Sequence, residues 1–199
     1  MERSARDSRS ARPRVCENER VTIDRELADA TRFRVCFVCT GNICRSPMAA
    51  IVFEQLAKRH GVADRLHIAS AGISDYHVGE IADPRTLTVL SEAGYEGGAH
   101  RAKQFKPRWL DDFDLVIAFD RGQERALRSL ARGDEKLSKI RLLLSFDPDA
   151  IGFDVPATSR ISSRVVPTQV RCAIGRAGTS RTRASRTAVD VARSCPAAP

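Results

Sequence analysis

The sequence has 199 residues, of which 42% are hydrophobic and 29% charged, and its formal net charge is +8. That length suffices for one domain with a substantial core and is short for two. The six cysteines show neither the density of a disulfide scaffold nor the paired spacing of metal ligands, so we expect no metal site. The first residues lack the apolar segment of a secretory signal, and no apolar run approaches membrane-spanning length. These features predict a cytoplasmic protein whose cysteines stay as reduced thiols and which makes no contact with a membrane.

The positive charge is confined to one part of the chain. Residues 34–156 carry 17 basic and 17 acidic side chains, and residues 1–33 carry 8 and 7. Residues 157–199 carry 8 arginines and a single acid, Asp190, with no aromatic residue and no lysine. Since stacking aromatics do not accompany these arginines, nucleic-acid binding is the weakest of the functions considered. We expect a flexible extension over 1–33, a folded domain over 34–156, and a basic, disordered tail over 157–199.

The middle region alternates apolar runs with amphipathic stretches. The apolar runs are typical of buried strands, at 33–39, 66–72, 114–119 and 140–146. The amphipathic stretches predict helices at 47–61, 83–95 and 122–133, with Pro47 inside the first start and Gly61 and Gly94 as stops. Strands alternating with helices predict an α/β fold with a doubly wound, parallel, four-stranded sheet. Ligands of such sheets bind beyond the carboxyl ends of the strands.

One junction in this pattern carries chemistry. In VCTGNICRSP (38–47), Cys39 ends the first predicted strand and Pro47 opens the first predicted helix. The loop between them directs backbone N–H groups toward one point, and the positive end of the helix adds to their field. A thiol at the base of this loop feels those dipoles and the guanidinium of Arg45, and both favour the nucleophilic thiolate. Arg45 can also bind two oxygens of a phosphoryl group.

The other residues of the loop suit the same purpose. Gly41 permits close backbone approach, and Asn42 tolerates the left-handed conformation that a ring of amides requires. Ser46 places a hydroxyl beside the thiol, where it can stabilise a departing thiolate. The simpler alternative is a strand-to-helix turn with a buried cysteine that packs as a small apolar side chain. The surrounding strand, Ser-Pro pair and helix favour the anion site.

The loop CTGNICRSP resembles the phosphate-binding loop of the low molecular weight protein tyrosine phosphatases almost residue for residue. The similarity covers about residues 34–156 and includes SAG (70–72), YHVG (76–79), ADPR (82–85), HRAKQ (100–104), FDR (119–121) and, within 145–156, SFDP and DVP. The resemblance implies a flavodoxin-like three-layer sandwich and hydrolysis of phosphotyrosine, without a cofactor, through a phosphocysteine. It implies phosphotyrosine-containing proteins as substrates and inorganic phosphate or other oxyanions as ligands.

The resemblance also implies residue roles. Cys39 would be the nucleophile, and Arg45 would bind phosphate and stabilise the transition state. The phosphate-binding loop would comprise these two with Thr40, Gly41, Asn42, Ile43, Cys44 and Ser46. Ser70 and His100 would support the loop by hydrogen bonds, and Tyr76 would line the substrate cleft. Four residues keep simpler interpretations. His100 is alternatively a surface or capping histidine, and Tyr76 an exposed loop aromatic. Asp120 is expected to cap a helix rather than act chemically, and Cys44 is either inert or a disulfide partner that protects Cys39 from overoxidation.

The chain departs from the family after Pro156. There the family continues into Asp-Pro-Tyr-Tyr, whose aspartate is the general acid, and then into a closing amphipathic helix. Here Ala157 stands at the position of the acid, and Asp154 lies on the wrong side of the motif to replace it. The abrupt change at Pro156 suggests an out-of-frame or foreign tail. Losing a general acid lowers a rate by about 10²–10⁴-fold, so we expect impaired catalysis.

Two other functions remain open from the sequence. A non-catalytic module that binds phosphate or phosphoproteins would keep the loop and dispense with the acid. A thioredoxin-coupled arsenate reductase uses the same scaffold, but it relays electrons to a downstream cysteine pair. No cysteine occurs between Ser46 and Pro156, which argues against the reductase.

Overall fold

A computed structural model describes residues 32–147 together with residues 150, 152, 154 and 155. The predictions of a flexible extension before the domain and of a basic tail from residue 157 onward fall outside the described residues and stay predictions.

The described part of the chain contains a four-stranded parallel sheet. Its strands, in chain order, are β1 (Phe33–Cys39), β2 (Leu66–Gly72), β3 (Leu115–Ala118) and β4 (Ile140–Leu142). They lie side by side in the order β2-β1-β3-β4, and every pair is parallel. The predicted fold class is therefore confirmed. The strand order reverses between β1 and β3, so the carboxyl ends of these two strands form the crevice where such folds bind ligands.

The helices lie close to their predicted positions, with corrections at the ends. They are α1 (Arg45–Arg59), α2 (Pro84–Glu92), α3 (Trp109–Asp112), α4 (Arg121–Leu130) and α5 (Asp134–Ser138). The helix expected from residue 47 begins at Arg45, because the missing N–H of Pro47 is also tolerated deeper in the first turn, where backbone N–H groups have no helical partner. The single-turn helices α3 and α5 were not predicted; each is too short to display a helical period.

Two predicted strands are shorter in the structure. The strand expected at 114–119 forms ladder bonds only over Leu115–Ala118. The strand expected at 140–146 ends at Leu142, and the chain then turns into a 3₁₀-helix over Leu143–Phe146. The ends of these strands cannot be located within a continuous apolar run, because a buried turn is as apolar as a buried strand.

Both faces of the sheet are buried. Val35, Phe37 and Cys39 of β1 face one hydrophobic cluster, whereas Cys36 and Val38 face the other. Helices α1 and α2 contribute buried residues to the first cluster, and α3 and α4 contribute to the second. The result is three layers, with the Cys39 side chain on the face that α1 covers.

The helices of the described region are all too short or too polar to cross a bilayer.

Candidate active site

The candidate site lies where β1 runs into α1. Cys39 is the last residue of β1 and is buried, and Thr40–Cys44 form an irregular loop that leads directly into the first turn of α1 at Arg45. Asn42 has φ = 57°, so it adopts the left-handed conformation that the sequence predicts for it. This short connection places the thiol beside the N-terminus of α1, where backbone N–H groups are available to an anion.

Asn42 is held by contacts from three other parts of the chain. Its Nδ2 donates to Ser46 Oγ and to Ser70 Oγ, both at 2.9 Å. The backbone N–H of Lys103 donates to its Oδ1 at 2.8 Å, and His100 Nε2 lies 2.7 Å from its carbonyl oxygen. The structure thus brings Ser70 and His100, which the resemblance implied would support the loop, together with Asn42 and Ser46, and it adds Lys103. The fully buried Asn42 side chain is satisfied at both its amide and its carbonyl.

Ser46 connects the thiol to this network. Its Oγ lies 3.0 Å from Cys39 Sγ, accepts the bond from Asn42, and is 3.2 Å from the carbonyl oxygen of Ala71. A hydroxyl has one proton, which can rotate toward either neighbour. When the sulfur is a thiolate, the hydroxyl can donate to it, since the carbonyl is then the weaker acceptor.

Arg45 is fixed by two acceptors on one nitrogen. Its Nη1 donates to Asp120 Oδ2 at 2.9 Å and to the carbonyl oxygen of Val155 at 3.0 Å. The side chain is 13% exposed, and its guanidinium lies 6.0 Å from the centre of the Phe119 ring. Neither hydrogen bond uses Nε or Nη2, the pair that matches two oxygens of a phosphoryl group.

Asp120 both caps a helix and pairs with Arg45. Its Oδ1 accepts the N–H of Gln123 at 2.7 Å, as the sequence predicts for the start of α4. Its second oxygen makes the ion pair with Arg45, which was not predicted from the sequence. The topology of the sheet indicates this pairing, because Asp120 follows β3 and Arg45 follows β1 at the point where the strand order reverses.

Two further polar residues support the loop and were not predicted. Gln123 is buried; its Oε1 accepts the N–H of Phe119 at 3.1 Å, and its Nε2 lies 3.3 Å from Thr40 Oγ1. Ser74 donates to the carbonyl oxygen of Thr40 from its backbone N–H at 3.0 Å and from its Oγ at 2.9 Å. Hydrogen bonds from the segments that follow β2 and β3 therefore both support the loop.

Two glycines allow close packing between the loop and neighbouring segments of the chain. A Cβ added to Gly72 would lie 2.8–3.0 Å from backbone atoms of Thr40, Gly41 and Asn42. A Cβ added to Gly41 would lie 2.7 Å from Cδ2 of His77. The end of β2 and the segment after it therefore touch the phosphate-binding loop directly, with no room for a side chain between them.

The segment after β2 also carries an exposed apolar surface. Tyr76 is 82% exposed, and Val78 and Ile81 are also exposed. Between them, His77 packs on Gly41 and bonds Glu80 Oε2 through Nδ1 at 2.8 Å. Tyr76 therefore stands beside a residue that contacts the loop, and its role in lining a substrate cleft stays a prediction.

Burial shifts the pKa values of two side chains, Cys36 and His100. Burial raises the pKa of the Cys36 thiol, which faces the opposite side of the sheet from Cys39. Burial also lowers the pKa of His100, with a further lowering from the charges of Lys103 and Arg101, while its bond to Asn42 opposes the shift. Because a carbonyl oxygen only accepts, the neutral imidazole carries its proton on Nε2. Cys36, Cys39 and Cys44 form no disulfide, and the described residues contain no group of three or more His, Cys, Asp or Glu side chains that could hold a metal.

After the 3₁₀-helix that follows β4, the structure describes residues 147, 150, 152, 154 and 155. The N–H of Val155 donates to the carbonyl oxygen of Phe119 at 2.7 Å, and Asp154 Oδ1 accepts the N–H of Arg121 at 2.9 Å. Val155 is buried. Two residues later stands Ala157, outside the described residues.

A cysteine at the end of β1, followed by a loop into α1 at the switch point of a doubly wound sheet, is the arrangement expected of a cysteine-dependent phosphoric monoester hydrolase. The family model for the low molecular weight phosphotyrosine protein phosphatases matches residues 34–164, and the chain belongs to this family. The match extends beyond Pro156, where the motifs that carry the resemblance end. By family, the protein is a protein-tyrosine phosphatase.

Relatives and solved structures agree with this assignment. A low molecular weight protein-tyrosine-phosphatase of Streptomyces coelicolor is 50% identical over 123 residues, which are 62% of this chain and 74% of the relative. The low molecular weight protein-tyrosine phosphatase A of Mycobacterium tuberculosis is 45% identical over 57% of this chain and 67% of its own length. The crystal structure of YfkJ from Bacillus subtilis superposes with a TM-score of 0.65 at 36% identity, covering 70% of this chain and 90% of YfkJ.

Proposed function

We propose that this chain hydrolyses aryl phosphates, and phosphotyrosine in proteins more slowly, through a phosphocysteine formed on Cys39. The observation that carries the proposal is the 3.0 Å contact between Cys39 Sγ and Ser46 Oγ at the base of a loop in which Asn42 has φ = 57°. The cytoplasm, as the place where it acts, stays a prediction.

The first chemical step forms the intermediate. The Cys39 thiolate attacks phosphorus, the sulfur–phosphorus bond forms, and the bond to the phenol oxygen breaks with its electron pair on that oxygen. Arg45 binds two phosphoryl oxygens through Nε and Nη2, while loop N–H groups bind the remaining charge. These contacts strengthen as charge develops on the phosphoryl group, which is the condition for catalysis.

The second step regenerates the free enzyme. Water attacks phosphorus and forms an oxygen–phosphorus bond, the sulfur–phosphorus bond breaks with its electron pair on sulfur, and the proton of the attacking water passes to solvent as phosphate leaves. The Ser46 hydroxyl donates to the departing Cys39 thiolate, so it lowers the barrier to this step. Because Ala157 stands where the family has its general acid, the phenol oxygen of the first step departs unprotonated. Rates therefore depend steeply on the acidity of the leaving phenol.

One alternative is favoured by a specific observation. A module that binds phosphoproteins without turnover would keep Cys39 and Arg45 but not the acid, and Ala157 is the residue that fits this interpretation. The two functions differ in whether p-nitrophenyl phosphate, whose phenol is acidic, is hydrolysed.

Alkylation and turnover together test the proposal. Iodoacetate near pH 6 should label Cys39 first, phosphate or vanadate should protect it, and Cys36 should stay unlabelled because it is buried with a raised pKa. Cys39→Ser should abolish turnover of p-nitrophenyl phosphate and retain vanadate binding. Equal labelling of all cysteines would contradict the proposed site. Oxyanion protection of Cys39 without any turnover would support the binding module instead.

A further inference from the structure

We infer that Asp154 is a positioning residue that fixes the chain against α4 so that the Val155 carbonyl oxygen holds Arg45 in place. The inference rests on the proposed function, since Arg45 is the phosphate-binding side chain there. In the sequence, Asp154 lies on the wrong side of the motif to act as the general acid, so this role is a different one.

Three hydrogen bonds connect the segment to the site. Asp154 Oδ1 accepts the N–H of Arg121, the first residue of α4, at 2.9 Å. The N–H of Val155 donates to the Phe119 carbonyl oxygen at 2.7 Å, at the end of β3. The Val155 carbonyl oxygen then accepts from Arg45 Nη1 at 3.0 Å. Two adjacent residues therefore join α4, the end of β3 and the phosphate-binding loop.

The carboxylate is well placed to hold this segment. The N–H of Arg121 belongs to the first turn of α4 and has no partner within the helix. A carboxylate that accepts such a bond also interacts favourably with the positive end of the helix. Asp120 accepts from Gln123 in the same turn, so two neighbouring carboxylates, at 120 and 154, are both fastened to the start of α4.

Two acceptors define the orientation of the guanidinium better than one. With Asp120 alone, Arg45 can rotate about a single ion pair. The Val155 carbonyl oxygen accepts a second hydrogen bond from the same Nη1. Because both acceptors lie on the Nη1 side of the guanidinium, Nε and Nη2 point away from them. Loss of the Asp154 anchor would free the Val155 carbonyl and allow Arg45 to move. Displacements of about 1 Å in a positioning group lower catalytic rates by up to about 10²-fold.

The test compares variants of the full chain by the phosphate concentration that protects Cys39 from iodoacetate. Asp154→Ala should weaken phosphate binding by about 10-fold or more. Asp154→Asn keeps an acceptor oxygen and should bind phosphate nearly as the parent does. Asp114→Ala is the matched control: its carboxylate accepts the N–H of Arg34 at 2.8 Å, but at the amino-terminal edge of the sheet. It should lose stability without losing phosphate affinity.

A double-mutant cycle separates this inference from the proposed function. The effects of Asp154→Ala and Arg45→Ala on the urea unfolding midpoint should be non-additive, because both break the same chain of contacts. Additive effects, together with phosphate binding by Asp154→Ala within about twofold of the parent, would overturn the inference and leave the proposed function intact. Absence of phosphate protection in the parent chain would overturn the proposed function, and additivity in the cycle would then also overturn this inference.

Discussion

Asn42 combines an unfavourable backbone conformation with a full set of partners. A non-glycine residue at φ = 57° costs about 1 kcal/mol or more. Four hydrogen bonds, to Ser46, Ser70, Lys103 and His100, offset this cost and lock the loop around the thiol. Because these bonds come from the chain itself, we expect the loop to keep this conformation before an oxyanion binds.

His100 makes the stability of this loop dependent on pH. The pKa of His100 is lower in the folded chain than in the unfolded one, chiefly because of burial. Between the two pKa values the unfolded chain binds more protons, so folding loses stability as pH falls below about 6.5 and the loss is complete below the folded pKa. Urea unfolding between pH 8 and pH 5 should show a steeper loss for the parent than for His100→Gln, whose amide can still donate to Asn42.

Only the difference between the two unfolding curves concerns His100, because the other three histidines are present in both proteins. Parallel curves over the whole range would show that His100 protonates equally well in the folded chain.

At the scale of elements, the site depends on how tightly β2 lies beneath the loop between β1 and α1. Gly72 ends β2 opposite Cys39 in the register of the sheet, and its α-carbon faces the loop backbone. Gly72→Ala should displace that backbone, since a Cβ there would lie 2.8 Å from the carbonyl oxygen of Thr40. We expect a destabilisation of about 1–3 kcal/mol and a clear loss of phosphate affinity.

The matched control for this substitution is Gly98→Ala. A Cβ at Gly98 meets no atom within 4 Å, and its φ does not lie in the left-handed range. Urea unfolding and phosphate protection of Cys39 should therefore be close to those of the parent. If Gly72→Ala binds phosphate as well as Gly98→Ala does, the contact with β2 does not shape the loop.

At the scale of the whole molecule, we expect the rate of hydrolysis to depend on the sequence that follows Val155. Residues 154–155 are docked at the site, but Ala157 has no proton to give. Replacing residues 157–199 with a segment that begins Asp-Pro-Tyr-Tyr and continues into an amphipathic helix should raise the rate on phosphotyrosine peptides by about 10²–10⁴-fold. The rate on p-nitrophenyl phosphate should rise far less, because its phenol leaves readily without a proton.

The control for this replacement carries the same new segment with alanine in place of the aspartate. It separates the proton donor from any general gain in stability. Ala157→Asp in the present chain gives a second comparison, in which the carboxylate is restored without the closing helix. Equal and fast hydrolysis of both substrates by the chain as written would show that another residue supplies the proton.

Most of the fold was predictable from local patterns in the sequence. The runs at 33–39 and 66–72 are β1 and β2 to the residue, because buried strands bounded by glycine or by a loop leave clear ends. The ends of β3 and β4 and the single-turn helices were not predictable. There the chain stays apolar or makes only one turn, and no period distinguishes the alternatives.

The sequence by itself determined the parts of the site that are adjacent in the chain. Cys39, the loop and the start of α1 form one continuous stretch, so their geometry follows from a strand, a loop with suitable residues and a helix. Among the distant groups that meet this stretch, the resemblance implied Ser70 and His100, whereas the tertiary structure alone decided the partners of Arg45. Arg45 pairs with Asp120, 75 positions away, and with the Val155 carbonyl, 110 positions away. Such contacts depend on the strand order and register of the sheet, which residue types and local periods do not specify.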